Sequence, residues 1–469
     1  MTSRRTFTTF PVNNIDHCKQ QLLSWVNRFG SCCFLDNHGY AMPGGRLECL
    51  AGAGELASLS VGTGGAFSAL EIFHRYHKDW LFGHLGYDLK NETEGLSSGL
   101  PDPLGFPDLR FFVPRYVFIL SAEGLRVGVL PGESAEDIWA SVRAEGEGAQ
   151  PAAPQDPATS QAAPQGPAEA PEPQYAASAP PGASAPALQA RFTRAAYLDA
   201  VHQLQRHIAR GDCYEVTFCQ EFFLEGVEVD PLELYRALDG LSPQPHAAYY
   251  AAGDHYLLCA SPERYLQHQG GRLLSQPIKG TAGRLPEDPE GDRRLRDDLL
   301  ASPKERSENV MIVDLVRNDL SRVSAEGTVK VSELLGVYAF PQVYQMISSV
   351  EGVLAPGRIW VDALKASFPM GSMTGAPKRR VMELIERYER TRRGLYSGAV
   401  GYIDPEGNFD FAVVIRSILY NRARRYLSFS VGSAITSASD PVLEYEECLL
   451  KAGAIKKALE NTLSSAQSK

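Results

Sequence analysis

Residues 146–190 hold ten of the chain's 31 prolines, in a run that continues from Gln150 as "QPAAPQDPATSQAAPQGPAEAPEPQYAASAPPGASAPALQA". Such a segment has too little apolar surface to offset the entropy of ordering, so it reads as a disordered or extended Pro/Ala-rich linker. It divides the chain into an N-terminal part, residues 1–145, and a longer C-terminal part, residues 191–465. Any compact fold has to be assembled from these two parts, and no internal repeat relates them.

With 469 residues, 44% hydrophobic and 22% charged, the chain can bury a large core. A net charge of -10 gives no reason to expect nucleic acid or an anionic membrane as partner, so an anionic ligand would need a local cationic pocket. The eight cysteines include no CxxC pair and no zinc-like Cys/His spacing, and read as free buried thiols of a reducing compartment. The start "MTSRRTFTTFPVNN" has no apolar stretch after its arginines, and no run approaches the roughly 18 apolar residues of a membrane span. A soluble, cytoplasmic protein is expected.

The segment "RAAYLDAVHQLQRHIARG" repeats Tyr197, Val201, Leu204 and Ile208 at helical spacing. "HAAYYAAGDHYLLCAS" reads as a hairpin, and the stretch from Gly394 to Thr436 as three strands joined by the turns "PEGN" and "NRAR". Long helices are expected at "PKERSENVMIVDLVRNDL", "APKRRVMELIERYERT" and "DPVLEYEECLLKAGAIKKALENTL". Short strand connections imply antiparallel pairing, and the class is α+β with large antiparallel sheets.

Two of those helices carry paired carboxylates. Ser302-Pro303-Lys304-Glu305 is a capping box, which accounts in part for Glu305 but not for Glu308 on the same face. Glu444 and Glu447 follow Asp440-Pro441 at the same spacing, with Lys451 one turn on. Glutamates on helices usually face solvent, but the apolar run "NVMIVDLV" after Glu308 argues for a buried helix. Buried carboxylates facing each other would suit Mg2+. "FPMGSMTGAPKRR" is a glycine turn that could offer Gly371 and Ser372 backbone N–H groups to an anion ahead of a helix, or simply be a tight turn. Arg416 lies in "FAVVIRSILY", read as a strand apolar on both faces, where a guanidinium needs an anionic partner. Glu263, just after Pro262, could face solvent, and "GTGGAFS" at 62–68 is discounted as a phosphate loop because no convincing strand precedes it. No histidine follows His268, which removes histidine catalysis from the segment holding most of these groups.

Taken in order, "SPERYL", "QPIKGTAGR", "SENVMIVDLVRNDLSRV", "FPMGSMTGAPKRR", "GLYSGAVGYID", "FAVVIRS" and "SDPVLEYEECLLKA" resemble the blocks of chorismate-utilising enzymes over about residues 191–460. "GHLGYDLKNETEGL" resembles their N-terminal region, that of anthranilate synthase component I among others. The resemblance implies an intertwined sandwich of two antiparallel β-sheets with helices outside, and makes residues 191–465 a chorismate-binding catalytic domain. It also implies direct Mg2+ ligation by Glu308 and Glu447, with Glu305 and Glu444 close behind, the ion holding the ring carboxylate of chorismate. Glu263 is similar to the family's general acid for the departing hydroxyl. Arg416 and Tyr396 are similar to the pair that grips the enolpyruvyl carboxylate, within a cradle completed by Lys451 and by backbone at Gly371, Ser372, Gly432, Ser433 and Ala434.

Lys279, in "PIKGT", resembles the aminodeoxychorismate synthase branch; anthranilate synthases carry alanine there. That branch implies attack by the lysine on the ring, then displacement by ammonia, giving 4-amino-4-deoxychorismate for 4-aminobenzoate and folate synthesis. The alternative is conversion to anthranilate and pyruvate. Attack needs a neutral amine, so a lowered lysine pKa is expected. No glutaminase segment is recognisable, so ammonia is expected from a glutamine amidotransferase subunit, component II. The chain departs from many relatives at Gln345, where they have histidine, and at "GSAIT", residues 432–436. "FLDN", residues 34–37, matches poorly to the "LLES" of tryptophan-binding relatives, so tryptophan binding is not expected.

Overall fold

The computed structural model describes residues 5–40, 47–145, 187–340 and 343–467. The expected linker lies outside these up to residue 186, and its last residues, Gln189–Ala190, form a short strand paired with Phe222 and Phe223. No described helix is long and apolar enough to cross a membrane.

Every pairing between the named strands is antiparallel. One arm runs Gly375–Ala376, Glu215–Glu225, Tyr426–Ile435, Ser417–Asn421, His255–Ser261, His246–Ala252, Ser31–Asp36, Cys49–Val61 and Leu109–Ser121. Leu109–Ser121 also pairs at its start with Leu81–Leu85, and so opens the second arm. That arm continues through Ala399–Ile403, Phe409–Val413, Arg264–Gln269 and Arg272–Gln276 to Val343–Val353. Strands from before and after residues 146–190 therefore alternate within one hydrogen-bonded network.

The alternation of side chains along a strand then separates two cores. Cys32, Phe34, Tyr249 and Leu258 face one that is covered by the helices Ile15–Val26, Arg194–Ala209 and Pro231–Leu241. Cys33, Tyr250, Leu257 and Cys259 face the other, shared with Phe82, Phe111, Val400 and Phe411 of the second arm. The result is the α+β sandwich with outer helices that the sequence implies.

Three local expectations need correction. "FAVVIRSILY" is not one strand: pairing stops at Val413 and resumes at Ser417, with Arg416 between them at φ 53°. Arg416 therefore sits in a left-handed break between two strands, half-buried, and not within one continuous ladder. The C-terminal helix divides at Ala452 into Pro441–Lys451 and Gly453–Gln467. The helix Pro303–Ser321 is buried on one side only: Ile312 is 1% exposed, whereas Val310 is 41% exposed.

Candidate functional site

Lys279 stands in a β-bulge. Ile278 pairs with Ile347 and Thr281 with Gln345, so Lys279 and Gly280 together oppose the single residue Met346. Gly280 adopts φ +98°, and a Cβ there would lie 3.2 Å from both Glu305 Oε2 and Met346 Cβ, which explains the glycine after the lysine. Asn309 Nδ2 donates to the Lys279 carbonyl at 3.2 Å, and Ser348 Oγ donates to Asn309 Oδ1 at 2.6 Å, fixing the bulge to the helix Pro303–Ser321.

The side chain of Lys279 reaches the start of the strand Glu215–Glu225. Its Nζ lies 2.8 Å from Glu215 Oε1, with side-chain exposures of 12% and 0%. Burial by itself would depress the lysine pKa, but Glu215, Glu308 and Glu263 outweigh it and hold the ammonium above its usual value. The expectation of a lowered value fails because three carboxylates surround the amine. Glu215 is in turn fixed by Gly375: the strand Gly375–Ala376 pairs with Val216 and Glu215, and a Cβ on Gly375, at φ +141°, would lie 2.1 Å from the Glu215 carbonyl oxygen.

Glu263 is 4% exposed, not solvent-facing, and accepts a hydrogen bond of 2.6 Å from Ser372 Oγ. Burial raises its pKa to about 7, against the opposing pull of Ser372 and Lys279. Gly371–Met373 form a single 3-10 turn, and a strand pairing separates this turn from the helix Lys378–Tyr388, so it does not open that helix as expected. A Cβ on Gly371 would lie 2.7 Å from the Leu315 side chain.

A cationic group lies beside this cluster. Arg416 Nη1 donates to the Lys451 carbonyl at 3.5 Å, and among the described residues no carboxylate is within ion-pair distance of Arg416. Burial lowers its pKa, partly offset by Tyr396 and Glu447. Tyr396 is 4% exposed, with its hydroxyl 3.6 Å from Cys219 Sγ. Lys451 Nζ donates to the Gly432 carbonyl at 3.0 Å and pairs with Glu447 at 2.5 Å. Gly432 packs on Cys219, where a Cβ would lie 2.4 Å from Sγ. The Ser433 hydroxyl faces the opposite side and meets Tyr197 at 3.3 Å, while the Ala434 carbonyl accepts from Ser439 Oγ at 3.3 Å.

The four glutamates face one another around Lys304, whose Nζ is 3.4 Å from Glu444 and 3.9 Å from Glu308. Burial raises Glu308 to about 7 and raises Glu305, whereas Lys451 keeps Glu447 below its usual value despite burial.

Residues 63–457 match the family described as chorismate binding enzyme. The chain is 38% identical to anthranilate synthase component 1 of Thermus thermophilus over 81% of this chain and 77% of that protein. The chain belongs to the chorismate-binding enzyme family. It is also 38% identical to aminodeoxychorismate synthase component 1 of Salmonella typhimurium, over 59% of this chain and 60% of that one. Among solved structures, anthranilate synthase component I of Streptococcus pneumoniae superposes with a TM-score of 0.69 at 25% identity, covering 89% of this chain and 93% of that one.

Whether this chorismate-binding enzyme fits a magnesium ion can be judged from its donors. Among the described residues, Glu308 Oε1 is buried without a hydrogen-bond partner, and the four carboxylates are the hard oxygen set that Mg2+ prefers. They fit the ion by chemistry. Among the described residues, no three Asp, Glu, His or Cys side chains converge closely enough to ligate one ion, and Lys304 supplies the positive charge between them.

The enzyme's "GTGGAFS" segment follows the strand Cys49–Val61 after all, but its N–H groups at Gly64, Gly65 and Ala66 all donate to Glu92 Oε2, which leaves no room for a phosphate. Gln345 is 4% exposed, and its Oε1 has no hydrogen-bond partner among the described residues. A cavity of about 300 Å³ away from these residues is lined by Asp36 of "FLDN", itself paired with Lys19 at 2.7 Å. Sequence reasoning missed Glu215, Asn309 and the role of Lys304 between the glutamates. The signal for the first was the alternation in "EVTFC": Val216 and Phe218 enter one core, leaving Glu215, Thr217 and Cys219 on the site face.

Proposed function

We propose that this chain aminates chorismate to 4-amino-4-deoxychorismate, with ammonia from a separate glutamine amidotransferase subunit, in the cytoplasmic route to 4-aminobenzoate and folate. The observation that carries this reading is Lys279, an amine held among Glu215, Glu308 and Glu263 near Arg416, which has no carboxylate within ion-pair distance among the described residues. In this reading Arg416 and Tyr396 hold the enolpyruvyl carboxylate. Lys451 and the backbone of Gly371, Ser372, Gly432, Ser433 and Ala434 complete the anion cradle, the Ser372 hydroxyl being engaged with Glu263. Glu308 and Glu447, with Glu305 and Glu444, would hold magnesium, which when bound neutralises the ring carboxylate.

The Lys279 amine adds to the ring carbon next to the carboxylate-bearing one, the double bonds shift, and the C–O bond to the ring hydroxyl breaks. Glu263, with a pKa of about 7, gives its proton to that hydroxyl, which leaves as water. Ammonia then adds at the vacated carbon, and lysine departs as the double bonds shift back.

A second reading is favoured by the relative named anthranilate synthase component 1 from Thermus thermophilus. It makes anthranilate and pyruvate. Incubation with chorismate, Mg2+ and ammonium, followed by mass analysis of the product, separates the two: aminodeoxychorismate keeps the enolpyruvyl group and anthranilate does not. Anthranilate as the sole product would refute amination to aminodeoxychorismate.

A further inference from the structure

Glu215 is buried deeper than any other member of the site, at 0% exposure, and only one of its two oxygens is used. Oε1 pairs with Lys279 at 2.8 Å; Oε2 is buried with no hydrogen-bond partner among the described residues. A carboxylate serving only to anchor a strand would be expected to satisfy both oxygens, as Glu389 does with the Arg393 guanidinium and the Cys219 N–H. Glu215 is also held rigidly from behind, by the Gly375–Ala376 pairing and the close approach that only glycine permits. Position and orientation are therefore fixed while hydrogen-bonding capacity is left open.

The reaction read above needs Lys279 as a free amine, yet its surroundings favour the ammonium. Glu308 and Glu305 face it from the helix Pro303–Ser321, Glu447 from the helix Pro441–Lys451, Glu263 from the turn after His255–Ser261, and Glu215 from its own strand. A proton acceptor is required within reach. Among the described residues, Glu215 is the one carboxylate within ion-pair distance of Nζ. Glu263 has to retain a proton for the leaving hydroxyl, and Glu308 faces the candidate magnesium position.

We infer that Glu215 is the base for Lys279, taking a proton from Nζ onto its carboxylate before the amine attacks the ring. This rests on the proposed reading of Lys279 as the nucleophile. The transfer converts an ammonium and a carboxylate into an amine and a carboxylic acid, so no net charge is moved in a dry pocket. Attack by the amine makes a ring-bound secondary ammonium. When ammonia displaces it, lysine leaves as a neutral amine and recovers its proton from Glu215. The new ring ammonium returns a proton to Glu263, so both groups are reset and the sum is chorismate plus ammonia giving aminodeoxychorismate plus water.

The test follows the first step alone. Full-length protein is mixed with chorismate and Mg2+ without ammonium, quenched, and weighed intact, with ammonium-dependent turnover measured in parallel across pH. Wild type is expected to gain the mass of chorismate less one water. Glu215→Gln keeps a polar group of the same size but cannot take the proton. It should form the adduct about 100-fold more slowly, with the rate rising tenfold per pH unit up to about 7 and levelling above it, where loss of the Glu263 proton offsets the gain in free amine, and with chorismate KM little changed. Glu215→Asp should retain part of the rate and the wild-type pH profile. The inference is overturned if Glu215→Gln forms adduct within threefold of the wild-type rate. It is equally overturned if both variants lose activity with an unchanged pH profile and a lower melting temperature, since that marks a purely structural carboxylate. If wild type forms neither adduct nor aminodeoxychorismate, the reading of the reaction fails first, and the role of Glu215 as base falls with it.

Discussion

The Ser372 hydroxyl donates to Glu263 Oε1 at 2.6 Å inside a pocket where Glu263 is only 4% exposed. Two opposed effects meet at this carboxyl: burial raises its pKa to about 7, and the serine, with Lys279, pulls it back. A general acid works only while protonated, so turnover should fall as pH rises through about 7. Ser372→Ala removes a bond that favours the carboxylate. The acid form should then persist to higher pH, moving the alkaline limb of the kcat profile upwards, and Glu263→Gln should cost about 100-fold or more. A limb that stays in place in Ser372→Ala would remove Glu263 as its source.

Lys279 and Glu215 form a buried pair, and breaking it should cost stability as well as activity. Lys279→Ala leaves a carboxylate at 0% exposure without its cation, so urea unfolding should show a loss of about 3–5 kcal/mol. Adding Glu215→Gln to Lys279→Ala should recover much of that loss while amination stays absent. A double variant no more stable than the single one would mean that the pair is not coupled in the folded state.

The legible part of this molecule was the part governed by local rules. Ser302 and Asp440 cap their helices as their spacing implies, and the hairpin of His246–Ala252 and His255–Ser261 follows from alternation and a Gly-Asp turn. The resemblance brought Glu263, Lys279, Glu308, Arg416 and Glu447 onto one list, and coupling between their charges places them in one neighbourhood. What sequence could not supply was set by tertiary contact. Arg416 leaves its strand through a backbone dihedral, the environment of Lys279 comes from a strand 64 positions away, and Glu92 fills the glycine loop from a helix beyond it.

Gly375 is where backbone and site are coupled most directly. Its φ of +141° is strained for any other residue, and a Cβ would press on the Glu215 carbonyl oxygen at 2.1 Å. Gly375→Ala should therefore destabilise the fold by about 1–3 kcal/mol and displace Glu215 from Lys279. Amination should drop further than in an equally destabilised variant remote from the site, such as Leu384→Ala in the first core. Equal losses in the two variants would show that Gly375 matters for stability alone.

Magnesium dependence offers a test of the four glutamates. Glu308 carries a buried Oε1 with no hydrogen-bond partner among the described residues, and Lys451 at 2.5 Å from Glu447 favours its ionised form. Chelation should abolish turnover in wild type, with recovery on adding Mg2+. Glu308→Gln and Glu447→Gln each remove a negative oxygen from the set, so half-maximal recovery should need at least about tenfold more Mg2+. Lys304 supplies the competing charge between Glu308 and Glu444, at 3.9 and 3.4 Å, so Lys304→Met should shift the requirement the other way, to lower Mg2+. Chelator-resistant turnover in wild type would show that the lysines alone balance these carboxylates.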